Sequence, residues 1–384
     1  MTPLITTYTR AQSAVVRSMS WDRLFSKREF HRNRWKLIGL TSLCSLCFLA
    51  KLLWRMGAPT ADPDMRVPRF VYFWNRPTWA DDTLFEDCEA KCLLIDQDKH
   101  HSYNESHAVI FHLPHLDIED FPEKLSGHIW VAYVMESPER MRATFSNWRN
   151  VFNWTMSYRR DSDILVMAGK FFLKQQQSEN IRASVMWDQK VKPISWWEEN
   201  CHTQSRREDY VSALQKYVTV HTFGRCGKYT CPNPGSQGSR ENCLPAIEKG
   251  YKFHLAFESS LCKDYITEKV FNIYRLNSVI PVVRGGVNYN VYLPPGSYID
   301  ASNFPSPFAL SKHLKKLPTK NANSFQPFLY KNFYDIRIDE RRRSFCDLCK
   351  RLHVTNLSER VYADFESWLQ LKRGWTSCSG PRDM

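Results

Sequence analysis

The sequence predicts an α/β protein with two domains, on the strength of three observations. Residues 251–286 (YKFHLAFESSLCKDYITEKVFNIYRLNSVIPVVRGG) read as a strand, a polar loop, a helix and a second strand. The apolar stretches 253–257 and 279–283 suit buried strands, the second ended by Gly285 and Gly286. Between them Ile266, Val270 and Ile273 fall at helical spacing, so one helix face can pack on the sheet. In the other half, residues 129–135 (IWVAYVM) form an apolar strand that stops at Glu136-Ser137-Pro138. Strand-like and helical stretches alternate in both halves, which argues for a domain of this kind in each.

Taken in order, the chain opens with a basic stretch. Residues 1–36 hold eight Arg or Lys against Asp22 and Glu29, a net of +6 out of the +13 of all 384 residues. The rest is too dilute for nucleic-acid binding, and no zinc-finger spacing or RNA-binding motif is present. Residues 37–50 carry no charge, and Leu52, Leu53 and Trp54 extend the run past Lys51. That is short against the roughly 20 apolar residues of a full span, but Lys51 can snorkel while Trp35 and Trp54 lie at the interfaces. The basic flank then sets the orientation. Residues 1–36 are expected in the cytosol, 37–54 as a signal-anchor, and everything beyond on the luminal side of a single-pass type II membrane protein. Residues 55–69 are Pro-rich and polar, as in a stem.

Ten cysteines lie beyond the apolar run: Cys88, Cys92, Cys201, Cys226, Cys231, Cys243, Cys262, Cys346, Cys349 and Cys378. An even number in an oxidising compartment points to disulfides, with the pairing left open. Cys346-Asp-Leu-Cys349 also reads as half a zinc site or a redox pair, but no second ligand pair has matching spacing. Asn104, Asn153 and Asn356 each begin an acceptor sequon for N-glycosylation.

The folded part is expected to open with strands at 70–74, 92–95 and 108–111, before the strand at 129–135. Glu136 follows that strand directly, as a solvated loop acid, a cap partner or a catalytic base. Asp161-Ser162-Asp163 offers paired carboxylates, read as structural or substrate-proximal in preference to metal ligands; no metal site is expected. Residues 175–192 are polar and suit a bridge between the domains. A strand at 193–197, a helix over 206–217 and a strand at 218–220 follow. Residues 232–243 are a Gly/Ser/Pro loop tied down by Cys243. The loop after the strand at 253–257 carries Glu258, Ser259, Ser260, Lys263, Asp264, Tyr265, Thr267, Glu268 and Lys269. It lies where open α/β sheets bind ligands, and a lysine beside a helix start suits phosphate.

The run F-x-L-A-F-E-x-S-x-x-x-D-Y-I-T-E-K followed by I-P-V-V resembles the signature of the α1,3-fucosyltransferases, glycosyltransferase family 10. W-V-x-x-x-x-E-S-P with the run from Asn153 to Ile164 is similar to that family too, as are Asn200, Cys201, Ser205 and Tyr210. The chain departs from the pattern at Ser259, where Asn is usual, at Asn277, near a usual Gly, and at Glu198 and Glu199, where small or apolar residues are common. The resemblance covers residues 125–310 well and the flanks weakly.

It implies a GT-B fold, two Rossmann-like domains facing across a cleft. Residues 70–190 would form the acceptor domain, 191–340 the GDP-fucose domain, and 341–384 a Cys-containing C-terminal segment. It also implies inverting transfer of L-fucose from GDP-β-L-fucose to the 3-OH of a GlcNAc-type residue on a glycan or glycoprotein, in the Golgi. Glu136 matches the proposed base. Arg206 matches the diphosphate-binding arginine, and Asn200, Tyr265, Glu268 and Lys269 the rest of the donor site. No tightly bound cofactor is implied, and a divalent cation, Mn2+ or Mg2+, would be at most a stimulant. Two other readings stay open: a GT-B enzyme using another nucleotide sugar, and a catalytically inactive, membrane-tethered glycan-binding protein.

Overall fold

The computed structural model describes residues 67–95, 99–141, 145, 147–176, 187, 189–230, 240–317, 327–354, 360–370 and 378–384. The expected anchor at 37–54, with the tail before it and nearly all of the stem, lies outside these residues, as do Cys231 and Asn356. Among the described residues no helix is long and apolar enough to cross a membrane.

Two parallel sheets with the same strand order make up the fold. The first contains β1 (Arg69–Phe73), β2 (Cys92–Leu94), β3 (Ala108–His112), β4 (Ile129–Val134), β5 (Trp154–Ser157) and β6 (Ile164–Leu165), with helix α1 (Lys99–Glu105) between β2 and β3. Its order is β2-β1-β3-β4-β5-β6, and every pair is parallel. Strand β7 (Gly169–Leu173) leaves this sheet.

The second half contributes β8 (Lys192–Trp197), α2 (Arg207–Gln215), β9 (Val220–Phe223), α3 (Arg240–Gly250), β10 (Tyr251–Phe257), α4 (Glu268–Tyr274), β11 (Ile280–Arg284), β12 (Ile299–Asp300) and α5 (Pro307–Lys316). Its order is β12-β11-β10-β8-β9, again all parallel. In each sheet the first strand has its successor on one side and its third strand on the other. The order therefore reverses between β1 and β3 and between β8 and β10, and ligands bind open α/β sheets at the carboxyl ends of such pairs.

Alternation along the strands builds the core. Val71, Ile110 and Val131 face one side of the first sheet and pack with Phe345, Leu348 and Leu352. Val109, Phe111, Trp130 and Ala132 face the other and pack with Trp148, Phe152, Phe365 and Leu369. The end of the chain supplies both covers. After α6 (Tyr330–Phe333) and β13 (Tyr334–Ile338), α7 (Arg341–Leu352) covers one face and α8 (Phe365–Gln370) the other. Two disulfides, Cys88–Cys346 and Cys92–Cys349, fasten α7 to the start of the domain. Cys201–Cys226 and Cys262–Cys378 are bonded as well. Cys243 is also disulfide-bonded.

The strand expected at 218–220 lies at Val220–Phe223, and two further elements differ from the sequence reading. The expected loop ending at Cys243 turns into α3, where Cys243, Leu244 and Ile247 pack on Tyr251, Ile273 and Leu276 despite Pro245 inside the helix. Burial of that apolar face outweighs the proline's lost hydrogen bond. Strands β7 and β13 form a separate antiparallel pair, from Leu173↔Tyr334 to Gly169↔Ile338, joining the two halves beside α4.

Candidate active site

The carboxyl ends of both sheets line one cleft, with a cavity of about 950 Å³. From the second sheet come Trp197, Glu198, Glu199 and Asn200 after β8, and Ser259 with residues 265–269 after β10. From the first come Trp79 after β1, His112 and His115 at the end of β3, and Tyr133, Met135 and Glu136 at the end of β4. Ala168, Ile336, Ile338, Asp339 and Arg341 from the β7–β13 region close a third side.

The loop after β10 is held rigidly. Glu258 is fully buried and accepts from the Thr267 N–H at 2.8 Å and from the Thr267 hydroxyl, so its carboxylate ties the two ends of the loop together. Burial pushes its pKa up, against the pull of Lys269. Gly286 lets β11 approach: a Cβ there would lie 2.4 Å from the Cys262 carbonyl oxygen and 2.5 Å from the Leu261 carbonyl carbon. Asp264 sits at φ 61° inside the loop, accepting from the Arg160 N–H of the first domain. Tyr265 is buried edge-on against Tyr158 at 5.1 Å, and burial raises its phenol well above the ordinary range.

Two buried cations converge under this loop. Lys269 Nζ lies 3.0 Å from Glu198 Oε1 and 3.8 Å from Glu258 Oε2. Arg207 Nη1 lies 2.6 Å from the same Glu198 oxygen and donates to the Phe257 carbonyl at 2.8 Å. Its Nη2 donates to the Asn200 carbonyl at 3.2 Å.

On the opposite wall, Glu136 stands just past β4 with its side chain 37% exposed, 3.3 Å from Arg140. Ser137, the next residue, shares a buried 2.7 Å hydrogen bond with Ser260 of the loop. Glu136 is thereby anchored to the second-sheet wall through its neighbour. His112 pairs with Tyr133 across β3 and β4, and its ring packs on Trp79 and Tyr133. Burial lowers its pKa to about 4, so the imidazole is neutral at physiological pH, and its buried Nδ1 has no hydrogen-bond partner among the described residues.

Of the residues expected at the site, Glu136, Asn200, Tyr265, Glu268 and Lys269 line this one cleft. Arg206 does not. It is the N-cap of α2 in a left-handed conformation (φ 49°), 59% exposed and paired with Asp209 at 2.7 Å. That conformation starts the helix one residue later and turns Arg207 onto the buried stripe with Tyr210, Val211 and Leu214. The arginine that lines the cleft is therefore Arg207. Spacing could not separate the two arginines, since intervals of three and of four residues to Tyr210 both fit one helix face. The wall residues Trp79, His112 and Arg341 had no motif to mark them.

Asp161 forms a two-point pair with Arg159, and Asp163 accepts from Thr155 and Tyr362, a structural use of both carboxylates. Asn104 is exposed on α1. Asn153 departs from its reading as a glycan acceptor: it is 6% exposed, with Oδ1 bound to Lys124 and the Trp130 N–H and Nδ2 donating to the Arg360 carbonyl. This buried amide leaves no path for an attached sugar. Among the described residues, Cys92, Cys349 and His353 form a cluster of metal-ligand type, but its two sulfurs are joined as a disulfide.

Comparison with known proteins agrees with this geometry. The model "Glycosyltransferase family 10 (fucosyltransferase) C-term" matches residues 187–368, and "Fucosyltransferase, N-terminal" matches residues 66–169. Rat alpha-(1,3)-fucosyltransferase 7 is 30% identical over 82% of this chain and 82% of its own length. The chain belongs to glycosyltransferase family 10, the fucosyltransferases. Alpha-(1,3)-fucosyltransferase C of Drosophila melanogaster is 31% identical over 68% of this chain and 64% of its own length. Rat 4-galactosyl-N-acetylglucosaminide 3-alpha-L-fucosyltransferase 9 is 34% identical over 62% of each chain. The chain thus spans a little under two thirds of these last two relatives. Both matched segments of the family 10 chain contribute residues to the cleft.

Proposed function

We propose that this family 10 chain transfers L-fucose from GDP-β-L-fucose to the 3-OH of a GlcNAc-type residue on a glycan, with inversion. In this reading Arg207 and Lys269 hold the diphosphate, and Asn200, Tyr265 and Glu268 complete the donor side. Glu136 accepts the acceptor hydroxyl's proton as the new C–O bond forms at the anomeric carbon. The bond from that carbon to phosphate oxygen breaks on the far side, and GDP leaves with the electron pair, its charge met by the two cations. No organic cofactor is needed, and Mn2+ or Mg2+ would act only as a stimulant. The names of the relatives support the linkage and the acceptor class. A Golgi setting with a type II anchor at residues 37–54 belongs to the same proposal.

The observation that carries the reading is a cleft with a half-exposed carboxylate, Glu136, on one wall and paired cations, Arg207 and Lys269, on the other. The test incubates the purified full chain with GDP-fucose and a panel of glycans and records product mass. The expected result is a gain of one deoxyhexose that Glu136→Gln abolishes while GDP binding persists. Transfer retained by Glu136→Gln would remove the base assignment, and competition by UDP in place of GDP would replace the donor. Glu198, which already pairs both cations, favours one second reading: a glycan-binding protein that has lost its donor. A folded chain that binds the glycan panel but not GDP would establish it.

A further inference from the structure

Glu198 occupies the place in the cleft where an anion would be received. One oxygen, Oε1, meets Arg207 at 2.6 Å and Lys269 at 3.0 Å, and the carboxylate, the guanidinium and the ammonium are all buried. Glu198 follows β8 at the point where the second sheet reverses its order. Its main chain is fixed there, the N–H on the Phe223 carbonyl and the carbonyl on the Cys226 N–H. An exchange of partners at Glu198 would therefore move its side chain and not its main chain.

We propose that Glu198 is an internal counter-anion of the diphosphate site, giving up Arg207 and Lys269 to phosphoryl oxygens when a nucleoside diphosphate binds and taking them back when it leaves. It thereby holds nucleotide affinity down and speeds release of the spent diphosphate. The inference rests on the reading of Arg207 and Lys269 as the diphosphate clamp.

Two observations separate this role from that of a mere prop. Both cations are also held by main-chain carbonyls: Arg207 by those of Phe257 and Asn200, and Lys269 by that of Phe257 at 3.4 Å. Each cation therefore keeps a main-chain partner when Glu198 lets go. In addition, five acidic and five basic side chains line the cleft, so its formal charge is balanced. Neutralising one buried carboxylate beside two cations leaves a net positive site for a diphosphate, where the low dielectric magnifies the attraction. A prop would weaken binding when removed, whereas a competing anion would strengthen it.

The experiment titrates GDP and inorganic pyrophosphate into the full chain by calorimetry, for the wild type, Glu198→Gln, Glu199→Gln and Lys269→Ala. Glu198→Gln should lower the Kd for both probes by about tenfold or more, whereas the more exposed Glu199→Gln should stay within about twofold. Unchanged or weaker binding by Glu198→Gln, with the wild type binding normally, overturns the counter-anion role and leaves the clamp standing. Wild-type binding that survives Lys269→Ala, or no wild-type binding at all, overturns the clamp reading and the inference with it. If Glu198→Gln is unstable alone, rescue of its folding by pyrophosphate supports the exchange, and failure of that rescue overturns it.

Discussion

At the residue scale, two adjacent arginines share a chemistry and differ in every structural respect. Arg206 is exposed and pairs with Asp209; Arg207 is 1% exposed, bound to Glu198 and two carbonyls, and borders the cleft. Arg206→Ala should therefore leave transfer within about twofold of the wild type, since an exposed pair contributes little. Arg207→Ala should lower kcat/KM by about 10²-fold or more, as expected when one preorganised donor to a developing oxyanion is lost. Steady-state kinetics on the two variants would show the difference, and equal losses would return the role to Arg206. The sequence left this choice one residue out of phase because the helix start depends on a single left-handed residue, and no side-chain pattern announces φ 49° at an arginine. Glu198 was visible as an unusual acid, but its partners are Arg207, nine residues on, and Lys269, 71 residues on in the chain. Only the sheet brings them together.

Elements with a strong local period were legible, and those made by distant partners were not. The strands at 253–257 and 279–283 and the helix between them follow from apolar spacing; in the structure β10 starts two residues earlier, β11 is shifted by one, and α4 begins at Glu268, so that Ile266 precedes the helix. Strands β7 and β13 escaped notice because their pairing joins residues about 165 apart and neither has a partner near in sequence. The same holds for α7, whose apolar stripe of Phe345, Leu348 and Leu352 needs the first sheet for burial. Its two disulfides bracket nearly the same loop, with sequence separations of 258 and 257. In the chain-entropy account the first bridge to close removes nearly all the freedom, and a second bridge a few residues away adds little. Replacing Cys88 and Cys346 together by Ala should therefore cost under about 1 kcal/mol. Replacing all four cysteines should cost about 2–5 kcal/mol, far more than twice as much. Denaturant midpoints under non-reducing conditions would check this, and two equal, additive losses would show that each bridge acts through local packing instead.

At the scale of the whole molecule, two sheets with the same order place their reversal points on a shared cleft, and in the proposed reaction the alignment of its walls decides whether base and donor meet. The buried Ser137–Ser260 hydrogen bond is well placed to set that alignment, because Ser137 follows Glu136 and Ser260 lies in the loop that leads into α4 and its Lys269. Either serine changed to Ala strands its partner's hydroxyl in the interior, at about 1–3 kcal/mol, whereas changing both removes the stranded group and should recover much of that stability. Activity should behave differently. A misplacement of the order of 1 Å between reacting groups costs about 10²-fold in rate, and the double variant has lost the tether as completely as either single one. Ser137→Ala, Ser260→Ala and the double variant should all show kcat reduced by about tenfold or more, with GDP affinity within about twofold of the wild type. The double variant should nevertheless melt closer to the wild type than either single one. If kcat recovers along with stability, the hydrogen bond serves folding alone, and the alignment of the walls rests on the Tyr158–Tyr265 contact and the β7–β13 pair.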